Sequence, residues 1–549
     1  MLLSHFKDTP AEARTWRLWF SAWAIGALGI SRGLDEGIVS GILRHQSFKH
    51  KFHFDEDSDR EATIASQVQL GCVAGSIIAF LVCDRLGRLR TTQMACLLWI
   101  MGTAIWMTSA GALGNGVGNY QQLLAGRFIA GIGVGFTPVV APVYLAEIAP
   151  KTIRGLCVCI FSGSVYIGIL VAYWVNYGTG RDYTDNRQWL IPAALNFIFA
   201  SITFVASFFA VESPRWLLKK GRAEEARANL VWIRNMGEHH PYVTEEFNIM
   251  EEQINYEREV RSSQTWYMAL LQLFLNRNNA YILMLGIGIQ MLGQFSGGGV
   301  FTVFAPKIFS LVGIQGNTSL FTTGIFGIVK LVSSLAAAFF LVDLFGRKIS
   351  VMTGLGLQAF AAIYLAIYLK LTANITADEE TTAQKHAANA AIFFIYLSGF
   401  AWAIGVNSVQ YLTQTESFDI SVRAFGVAFV SVVHFAGQFA SSRTLNPMLE
   451  AWGPLTFLFY GMVSVATGVF VFLLMPETSG LALEEMKELF DKPWYRIGWT
   501  VNRPASRRKR QAQKEIEKAT NAELGYTLEP SDALASDEKD DDKIKGSTR

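Results

Sequence analysis

Five ionisable side chains lie inside otherwise apolar stretches of this sequence. Arg32, Asp35 and Glu36 share one such stretch, and Arg127 and Lys330 each lie within another. A charged group is costly to bury in apolar surroundings, so its presence there predicts ion, proton or substrate chemistry. A buried carboxyl group beside an arginine can take up and release a proton when desolvation and attraction nearly cancel.

The cations suggest a second chemistry. The Arg32 guanidinium, with the Lys330 ammonium nearby, would bind a carboxylate through charge-assisted hydrogen bonds. The alternative is that Arg32 pairs with Glu36, one helical turn further along. Lys330 either lines a central cavity or partners an acid, and His434 is expected to be a hydrogen-bonded packing residue rather than a proton relay.

The elements that hold these residues are predicted to be membrane-spanning helices. Of 549 residues, 51% are hydrophobic and 17% charged, whereas soluble proteins carry about 25% charged residues. The apolar residues occur in blocks of about 20, which suits the ~30 Å hydrocarbon core of a bilayer. The net charge of +2 gives no indication of a nucleic-acid partner. Twelve spans are predicted, near residues 18–42, 64–83, 92–112, 120–143, 156–177, 189–211, 279–303, 318–342, 349–370, 388–413, 422–443 and 453–475.

The spacing of these blocks predicts an all-α membrane protein built from two six-helix bundles. Transporters with such repeats place the substrate between the halves, near the middle of the membrane. The predicted parts are a cytoplasmic N-terminus (1–17), an N-terminal bundle (18–211), a cytoplasmic helical linker (212–278), a C-terminal bundle (279–475) and a cytoplasmic, largely disordered tail (476–549).

The placement of Lys and Arg predicts the orientation. The short loops at 84–90, 151–154 and 346–348 are basic, so the positive-inside rule assigns them and both termini to the cytoplasm. The glycosylation sequons at Asn317 and Asn374 then face outward. The cysteines lie in apolar blocks at spacings that fit no metal site, so we interpret them as packing residues.

A short charged motif recurs in the two halves. The loop after the second span and the loop after the eighth share the pattern Asp-x-x-Gly-Arg, in which glycine permits a tight turn and the charges can join helix ends. Further acid and base residues follow spans four, six, ten and twelve at matching places. The repeated residues are Asp84, Arg88, Glu147, Arg154, Glu212 and Arg215 in the first half, and Asp343, Arg347, Glu416, Arg423 and Glu477 in the second.

These repeats resemble the signature of the sugar porter family within the major facilitator superfamily. Gly126-Arg127, the run Gly131–Gly135 and the segment Leu483–Met486 are further matches. Segments 322–327 and 232–235 are most similar to a fungal branch that includes quinate permeases. The resemblance implies the major facilitator fold and a cytoplasmic gate formed by the repeated charges. Without that role, the charges would only cap helices and fix the topology.

The resemblance also implies roles for two buried charges. Asp35 matches the acid that proton symporters of the family carry on the first helix, and Arg127 matches the arginine that pairs with it. Protonation of Asp35 would release Arg127 and permit closure around the substrate. The alternative is a static, structural ion pair between the two residues.

The sequence departs from hexose carriers of the family where they bind sugar. Only Gln294 remains of a Gln-Gln…Asn cluster, Ser162 replaces a glutamine, and Asn407 falls in the place of a Trp-Gly-Pro motif. Arg32 replaces an aromatic residue. With Gly299 and Lys330, these residues form the predicted substrate site, which suits glucose poorly.

The predicted function is therefore proton-coupled import of a small polyhydroxylated solute, with a sugar acid or a quinate-like acid as the leading substrate. The alternatives are transport of a neutral monosaccharide or polyol, and a non-transporting sugar sensor. Motifs typical of enzymes are missing from the sequence. We expect no cofactor and no metal, and the expected partners are protons, a small-molecule substrate and the lipid bilayer. We expect the chain to act as a monomer in the plasma membrane.

Overall fold

The computed structural model describes most of the chain. The described residues are 15–53, 58–111, 118–150, 153–262, 266–337, 346–372, 382–407, 418, 422–477 and 497–498. They are helical almost throughout and contain no strand. Most of the predicted tail lies outside them, apart from residues 476–477 and 497–498, and so do Asn374, Asp343 and Glu416.

Among the described residues, eight α-helices form the N-terminal half. They are α1 (Trp16–Gly26), α2 (Leu28–Ile42), α3 (Gln46–Phe52), α4 (Ser58–Leu86), α5 (Arg88–Met107), α6 (Tyr120–Ile148), α7 (Arg154–Asp182) and α8 (Arg187–Ser207). The linker contains α9 (Pro214–Lys219), α10 (Ala223–Arg234), α11 (Pro241–Ser262) and α12 (Trp266–Leu275). The C-terminal half contains α13 (Arg277–Phe295), α14 (Gly298–Val303), α15 (Ala305–Leu311), α16 (Asn317–Ala336), α17 (Arg347–Thr372), α18 (Thr382–Ile404), α19 (Arg423–Trp452) and α20 (Leu455–Leu474).

Eleven stretches of helix in the described residues are long and apolar enough to cross a membrane. They correspond to the second through twelfth predicted spans. The first predicted span is two shorter helices, α1 and α2, which meet at Ala27. Ala27 keeps right-handed helical angles, and its N–H still bonds the Trp23 carbonyl at 2.8 Å, so the chain continues in helical form through the junction.

A row of glycines fixes how α2 is rotated in the bundle. Gly29, Gly33, Gly37 and Gly41 recur every four residues and therefore share one face of the helix. A Cβ at Gly33 would overlap the Val165 carbonyl of α7, and the other three would also press on α7. Small residues at this spacing let helix backbones approach closely. The remaining faces of α2 then present Arg32, Asp35 and Glu36 away from α7.

The seventh span is interrupted where it enters the interface between the halves. It ends as α13 at Phe295, and the chain resumes as α14 after Gly297, which has a φ of 97°. Glycine adopts this left-handed angle without steric cost. The next residue, Gly298, packs directly on the ring of Trp402 from α18. Broken helices of this kind are typical of substrate sites in secondary transporters.

The linker packs as helices against the N-terminal half. Arg234 of α10 contacts Glu246 of α11 at 2.7 Å and donates to the Ile148 carbonyl at the end of α6. Thr15 donates its hydroxyl to the Ile233 carbonyl at 2.5 Å. The last linker helix, α12, is apolar along most of its length and exposes Leu271, Phe274 and Leu275.

Candidate functional site

Asp35 is buried within the N-terminal half, where its partner is an amide. Asn196 of α8 donates from Nδ2 to Asp35 Oδ1 at 3.4 Å. Arg127 of α6 is close enough to interact with Asp35 electrostatically. Its Nε, however, donates to the Ile64 carbonyl at 2.9 Å. The structure thus brings Asp35 and Arg127 into one buried region without a direct contact between them among the described side chains.

Arg32 and Glu36 lie on the face of α2 that meets the C-terminal half. Arg32 Nε is 3.7 Å from Glu36 Oε1, which is the pairing one helical turn apart that the sequence left open. The guanidinium carbon lies 5.4 Å from the ring centroid of Phe435 on α19, a cation–π geometry. Gln438, one turn further along α19, donates to Glu36 Oε1 at 3.4 Å.

Lys330 lies buried on α16 at the same interface. Its ammonium group donates to the Thr302 hydroxyl of α14. It also lies 5.6 Å from the Tyr166 ring of α7 and 5.4 Å from the Phe326 ring. Tyr173 of α7 donates to the Thr302 carbonyl at 2.7 Å, so this contact also joins the two halves. Glu36 is the acid whose charge reaches Lys330.

The predicted residue Gln294 is linked through a histidine to a second amide. Its Nε2 lies 3.1 Å from His434 Nδ1, which is 2.8 Å from Gln290 Oε1. His434 is therefore a buried, hydrogen-bonded residue, as the sequence suggested. Gly299 lies beside Gln294, because a Cβ there would be 3.2 Å from Gln294 Oε1. The break after α13 thus gathers Gln294 and Gly299 in one place.

The remaining predicted substrate residues are Ser162 and Asn407. Ser162 donates to the Cys159 carbonyl of its own helix at 3.1 Å, and Asn407 is half-buried just beyond α18. Aromatic residues of two other helices lie against the break in the seventh span: Trp402 of α18 packs on Gly298, and Tyr460 of α20 lies close to Gly297. Trp402, Thr302, Gln438 and Asn196 were not singled out from the sequence. A lone polar or aromatic residue in an apolar helix was the available signal, but it does not identify the partner.

Three of the repeated charges form a compact cluster in the N-terminal half. Arg88 binds Glu147 through Nε and Nη2 at 2.9 and 2.8 Å, and its Nη1 contacts Asp84 at 3.0 Å. Arg88 and Glu147 are mostly shielded from solvent, while Asp84 is exposed. This bidentate geometry is the strong form of an arginine–carboxylate interaction. It ties the start of α5 to the end of α6.

Glu212 and Glu477 make the same contact in the two halves. Glu212 accepts hydrogen bonds from the N–H groups of Arg88 and Leu89 at 3.1 Å each. Glu477 accepts from the N–H groups of Arg347 and Lys348 at 3.0 and 3.1 Å. Each carboxylate therefore satisfies the unpaired N–H groups at a helix start and lies at its positive dipole end. Burial raises the pKa of the Glu212 carboxyl above its usual range, although three backbone N–H groups oppose the shift.

The glycine of each repeated motif makes room for this glutamate. Gly87 and Gly346 have φ angles of 97° and 88°. A Cβ on either glycine would press against the carboxylate, at 2.5 Å from Glu212 Oε2 and from Glu477 Oε2 respectively. The sequence repeat is thus a structural repeat in which glycine, helix start and capping acid recur together.

The other residues of the predicted gate have different contacts or lie outside the described part of the chain. Arg215 contacts Gln253 at 2.8 Å and Glu257 at 3.6 Å, both on linker helix α11. Asp343 and Glu416 are outside the described residues, and so are the side chains of Arg154 and Arg423.

At the predicted glycosylation sequon, Asn317 is exposed as the first residue of α16, whereas Ser319 is buried and donates to the Pro306 carbonyl.

A second polar cluster joins the halves at the opposite end of α4. Lys307 of α15 contacts Glu61 Oε2 of α4 at 2.8 Å, and Asn446 of α19 donates to the same oxygen at 3.2 Å. Nearby, Arg443 of α19 contacts Asp59 at 2.5 Å. Glu61 and Asp84 are separated by most of the length of α4, roughly 35 Å at 1.5 Å per residue. The two clusters therefore lie at the two ends of the bundle.

Comparison with known proteins gives the family. Residues 22–490 match the family model described as sugar (and other) transporter. The quinate permease of Emericella nidulans is 31% identical over 490 residues, which cover 88% of this chain and 91% of that protein. The quinate permease of Neurospora terricola is 31% identical over 501 residues, with coverage of 89% and 92%.

Solved structures give the fold. The proton:xylose symporter XylE bound to 6-bromo-6-deoxy-D-glucose is 22% identical, with a TM-score of 0.69 and coverage of 86% of this chain and 99% of that one. The partially occluded inward-open form of XylE from E. coli is 21% identical, with a TM-score of 0.68 and coverage of 85% of this chain and 100% of that one. The predicted fold and the family resemblance are confirmed. The chain belongs to the sugar (and other) transporter family, and it is a multi-pass membrane transporter rather than an enzyme.

Proposed function

We propose that this chain is a proton-coupled importer of a small polyhydroxylated monocarboxylic acid, such as quinate or a sugar acid. The observation that carries the proposal is the pair of buried cations, Arg32 and Lys330, on the facing surfaces of the two halves. Guanidinium and ammonium groups bind carboxylates by charge-assisted hydrogen bonds. The relatives named quinate permease support the same substrate class.

The surroundings of Asp35 support proton coupling. The Asn196 amide donates to Asp35 through Nδ2, while its buried Oδ1 has no hydrogen-bond partner in the described structure. An ionised Asp35 accepts from the Nδ2 group. A protonated Asp35 gains an O–H group that can donate to an amide oxygen. One amide thus serves both protonation states, and the neighbouring Arg127 favours the ionised one.

The halves and the two polar clusters fit alternating access. The topology predicted from Lys and Arg places the Arg88 cluster in the cytoplasm, with both termini, and the Glu61 cluster outside. We propose the plasma membrane as the host membrane and a single chain as the functional unit. The cytoplasmic gate then consists of the repeated charges, in which Glu212 and Glu477 hold helix starts.

One observation favours a neutral solute as the second candidate. The seventh span itself carries Gln290 and Gln294, which are linked through His434, and Trp402 packs on its break. Aromatic faces and amide groups bind the apolar and hydroxyl faces of neutral sugars, so a neutral monosaccharide or polyol would also find partners there.

Uptake measurements decide between the two. Cells without their own porters would express the full chain and receive labelled quinate, galacturonate, glucose or xylose at two external pH values. We expect acid uptake that rises at the lower pH and collapses with a protonophore. Uptake of glucose or xylose alone would refute the acidic substrate. Acid uptake that is insensitive to the protonophore would refute proton coupling.

A further inference from the structure

Phe435 of α19 belongs to the C-terminal half, but its side chain is buried against the N-terminal half. It is 2% exposed and shares an apolar cluster with Val68 and Cys72 of α4 and with Ala130 and Val134 of α6. Among the described residues, every other buried member of this cluster comes from α4, α5, α6 or α8. The phenyl ring thus fills a space whose walls belong to the opposite half.

The cluster lies next to Arg127 on two helices. On α4, Val68 is one helical turn beyond Ile64, whose carbonyl accepts the hydrogen bond from Arg127. On α6, Val134 is two turns beyond Arg127 and on the same face. Both helices continue from there to the Arg88 cluster, where their ends are joined. Phe435 therefore lies between Arg127 and that end of the bundle.

The third helix, α2, meets the ring on the same side of Asp35. Arg32 precedes Asp35 by one helical turn, and its guanidinium carbon is 5.4 Å from the ring centroid of Phe435. The first residue of α2, Leu28, shares an apolar cluster with Ile148 at the end of α6. Residues before Asp35 thus point toward the Arg88 end, as the residues beyond Arg127 do.

The cluster separates a titratable pair from that end of the protein. Asp35 and Arg127 are only 4% and 3% exposed, and the charges of both act on Cys72 within the cluster. A phenyl ring and aliphatic side chains have no hydrogen-bond donors or acceptors for water. Apolar constrictions close aqueous paths by excluding water. A proton on Asp35 has no hydrogen-bonded path through such a constriction.

We propose that Phe435 is a positioning residue for proton coupling, whose ring keeps water from Asp35 until the C-terminal half moves. This inference rests on the proposed function, because it takes Asp35 as the proton carrier and the Arg88 end as cytoplasmic. When that end opens, α19 carries the ring out of the cluster and water enters. The carboxyl proton then passes to that water, and the carboxylate remains beside Arg127. Proton release is thereby confined to the inward-open state.

The test measures proton entry without substrate. Proteoliposomes that contain the full chain and an internal pH dye are placed in acidic buffer, with or without quinate. The wild type should acidify the lumen only with quinate. F435A should acidify it without quinate and should accumulate less quinate, whereas the double variant F435A/D35N should be tight again. A leak that persists in the double variant bypasses Asp35 and overturns the proposal.

A matched control removes another aromatic contact between the same two helices. The Phe425 ring of α19 is 5.1 Å from the Phe80 ring of α4, roughly three turns from Phe435. F425A should therefore remain tight. F435L keeps a large apolar side chain and should remain coupled. An equal leak in F425A and F435A would mean that any loosening of the interface admits protons, which overturns a specific role for Phe435.

A second variant and a second readout keep the test decisive if F435A does not reach the membrane. V134T retains the shape of the cluster wall and adds a hydroxyl group, so it should give a smaller leak that also requires Asp35. In chains with Cys72 as their single cysteine, a small water-soluble reagent should alkylate F435A about tenfold faster than F425A, which corresponds to ~1.4 kcal/mol.

The outcomes separate this inference from the proposed function. Coupled quinate uptake by the wild type, with no leak in F435A or V134T, overturns the role of Phe435 alone. Equal alkylation of Cys72 in F435A and F425A does the same. Quinate uptake by the wild type without any proton movement overturns proton coupling, and the role of Phe435 with it.

Discussion

Lys307 of the C-terminal half and Glu61 of the N-terminal half form an ion pair at 2.8 Å across the interface. Asn446 bonds both members, accepting from Lys307 at 2.9 Å and donating to Glu61 at 3.2 Å. The side chains are only 21% and 13% exposed. This end of the bundle is therefore held closed by a shielded pair, whereas the neighbouring Arg443–Asp59 pair is more exposed to solvent.

Glu61→Gln should open this end more often. Breaking a fully buried pair costs about 3–5 kcal/mol, and the partial exposure here reduces that to about 1.4 kcal/mol, a tenfold change in the populations. The readout is the alkylation rate of a cysteine placed at Thr302, in a chain without its native cysteines, by a reagent that cannot cross the membrane. Asp59→Asn is the matched control and should change the rate little, because exposed pairs contribute about 0–1 kcal/mol. Equal rates in E61Q and the parent would show that the pair does not hold the end closed.

Arg32→Phe should weaken transport of acids selectively. The variant removes the guanidinium and introduces the aromatic type that the resemblance to hexose carriers implies for this position. Loss of a charge-assisted contact of about 1.5–3 kcal/mol corresponds to a rise of at least tenfold in KM for quinate. Arg32→Lys keeps the charge and should be affected less. An equal loss for glucose and quinate would mean that Arg32 is structural.

Asp35→Asn should abolish accumulation against a gradient while it leaves exchange of labelled for unlabelled substrate partly intact. The amide cannot take up a proton, so the substrate is no longer coupled to the proton gradient. The experiment measures both processes in the same vesicles. Asn196→Ala retains the carboxyl group but loses the amide that bonds Asp35, so it should still accumulate substrate, to a lower level than the wild type. Normal accumulation by D35N would remove Asp35 as the proton carrier.

Gly33→Ala should destabilise the protein strongly. The added methyl group overlaps a backbone carbonyl of α7, which cannot turn away as a flexible side chain can. Overpacking of this kind costs about 1–3 kcal/mol or more. Gly356→Ala is the matched control, because a Cβ there meets nothing within 4 Å and alanine favours helix. The melting temperature in detergent should be lower for G33A than for the wild type, and unchanged or higher for G356A. The same change of melting temperature in both variants would refute the close approach of α2 and α7.

The pH dependence of stability should reveal Glu212. Its pKa is raised by burial, so its contribution to stability is complete below the ordinary glutamate value of 4.5 and is lost as pH rises through the raised value. Glu212→Gln carries no titrating proton and lacks this dependence. As pH rises from 4.5 through the raised pKa, the melting temperature of the wild type should therefore fall relative to that of E212Q. Parallel curves of melting temperature against pH would contradict this prediction.

The helices could be placed from the sequence because apolar blocks of this length are typical of membrane-spanning helices. Predicted spans such as 120–143 and 279–303 fall within or across the observed helices. The two halves were recognisable from the repeated Asp-x-x-Gly-Arg loops. The break at Gly297 was not predicted, because the glycines there are equally compatible with a continuous helix in close contact with its neighbours.

Partners were harder to predict than positions. Asp35 was identified as a buried acid, but its amide partner Asn196 is 161 residues away. Glu212 was grouped with a gate, and its contact with the start of α5 spans 124 residues. Such contacts depend on how whole helices pack and turn, which local patterns do not specify. The Arg32–Glu36 pair was predictable since it lies within one helical turn.

The capping glutamates also bear on biosynthesis. Glu212 follows the last helix of the N-terminal half, yet it completes the start of α5, a helix made much earlier; Glu477 has the same relation to α17. In each half, the N–H groups at the start of one helix thus lack their glutamate partner until the last residues of that half leave the ribosome. Because the glutamate is synthesised last, this contact can form in a nascent half only when all helices of that half are present.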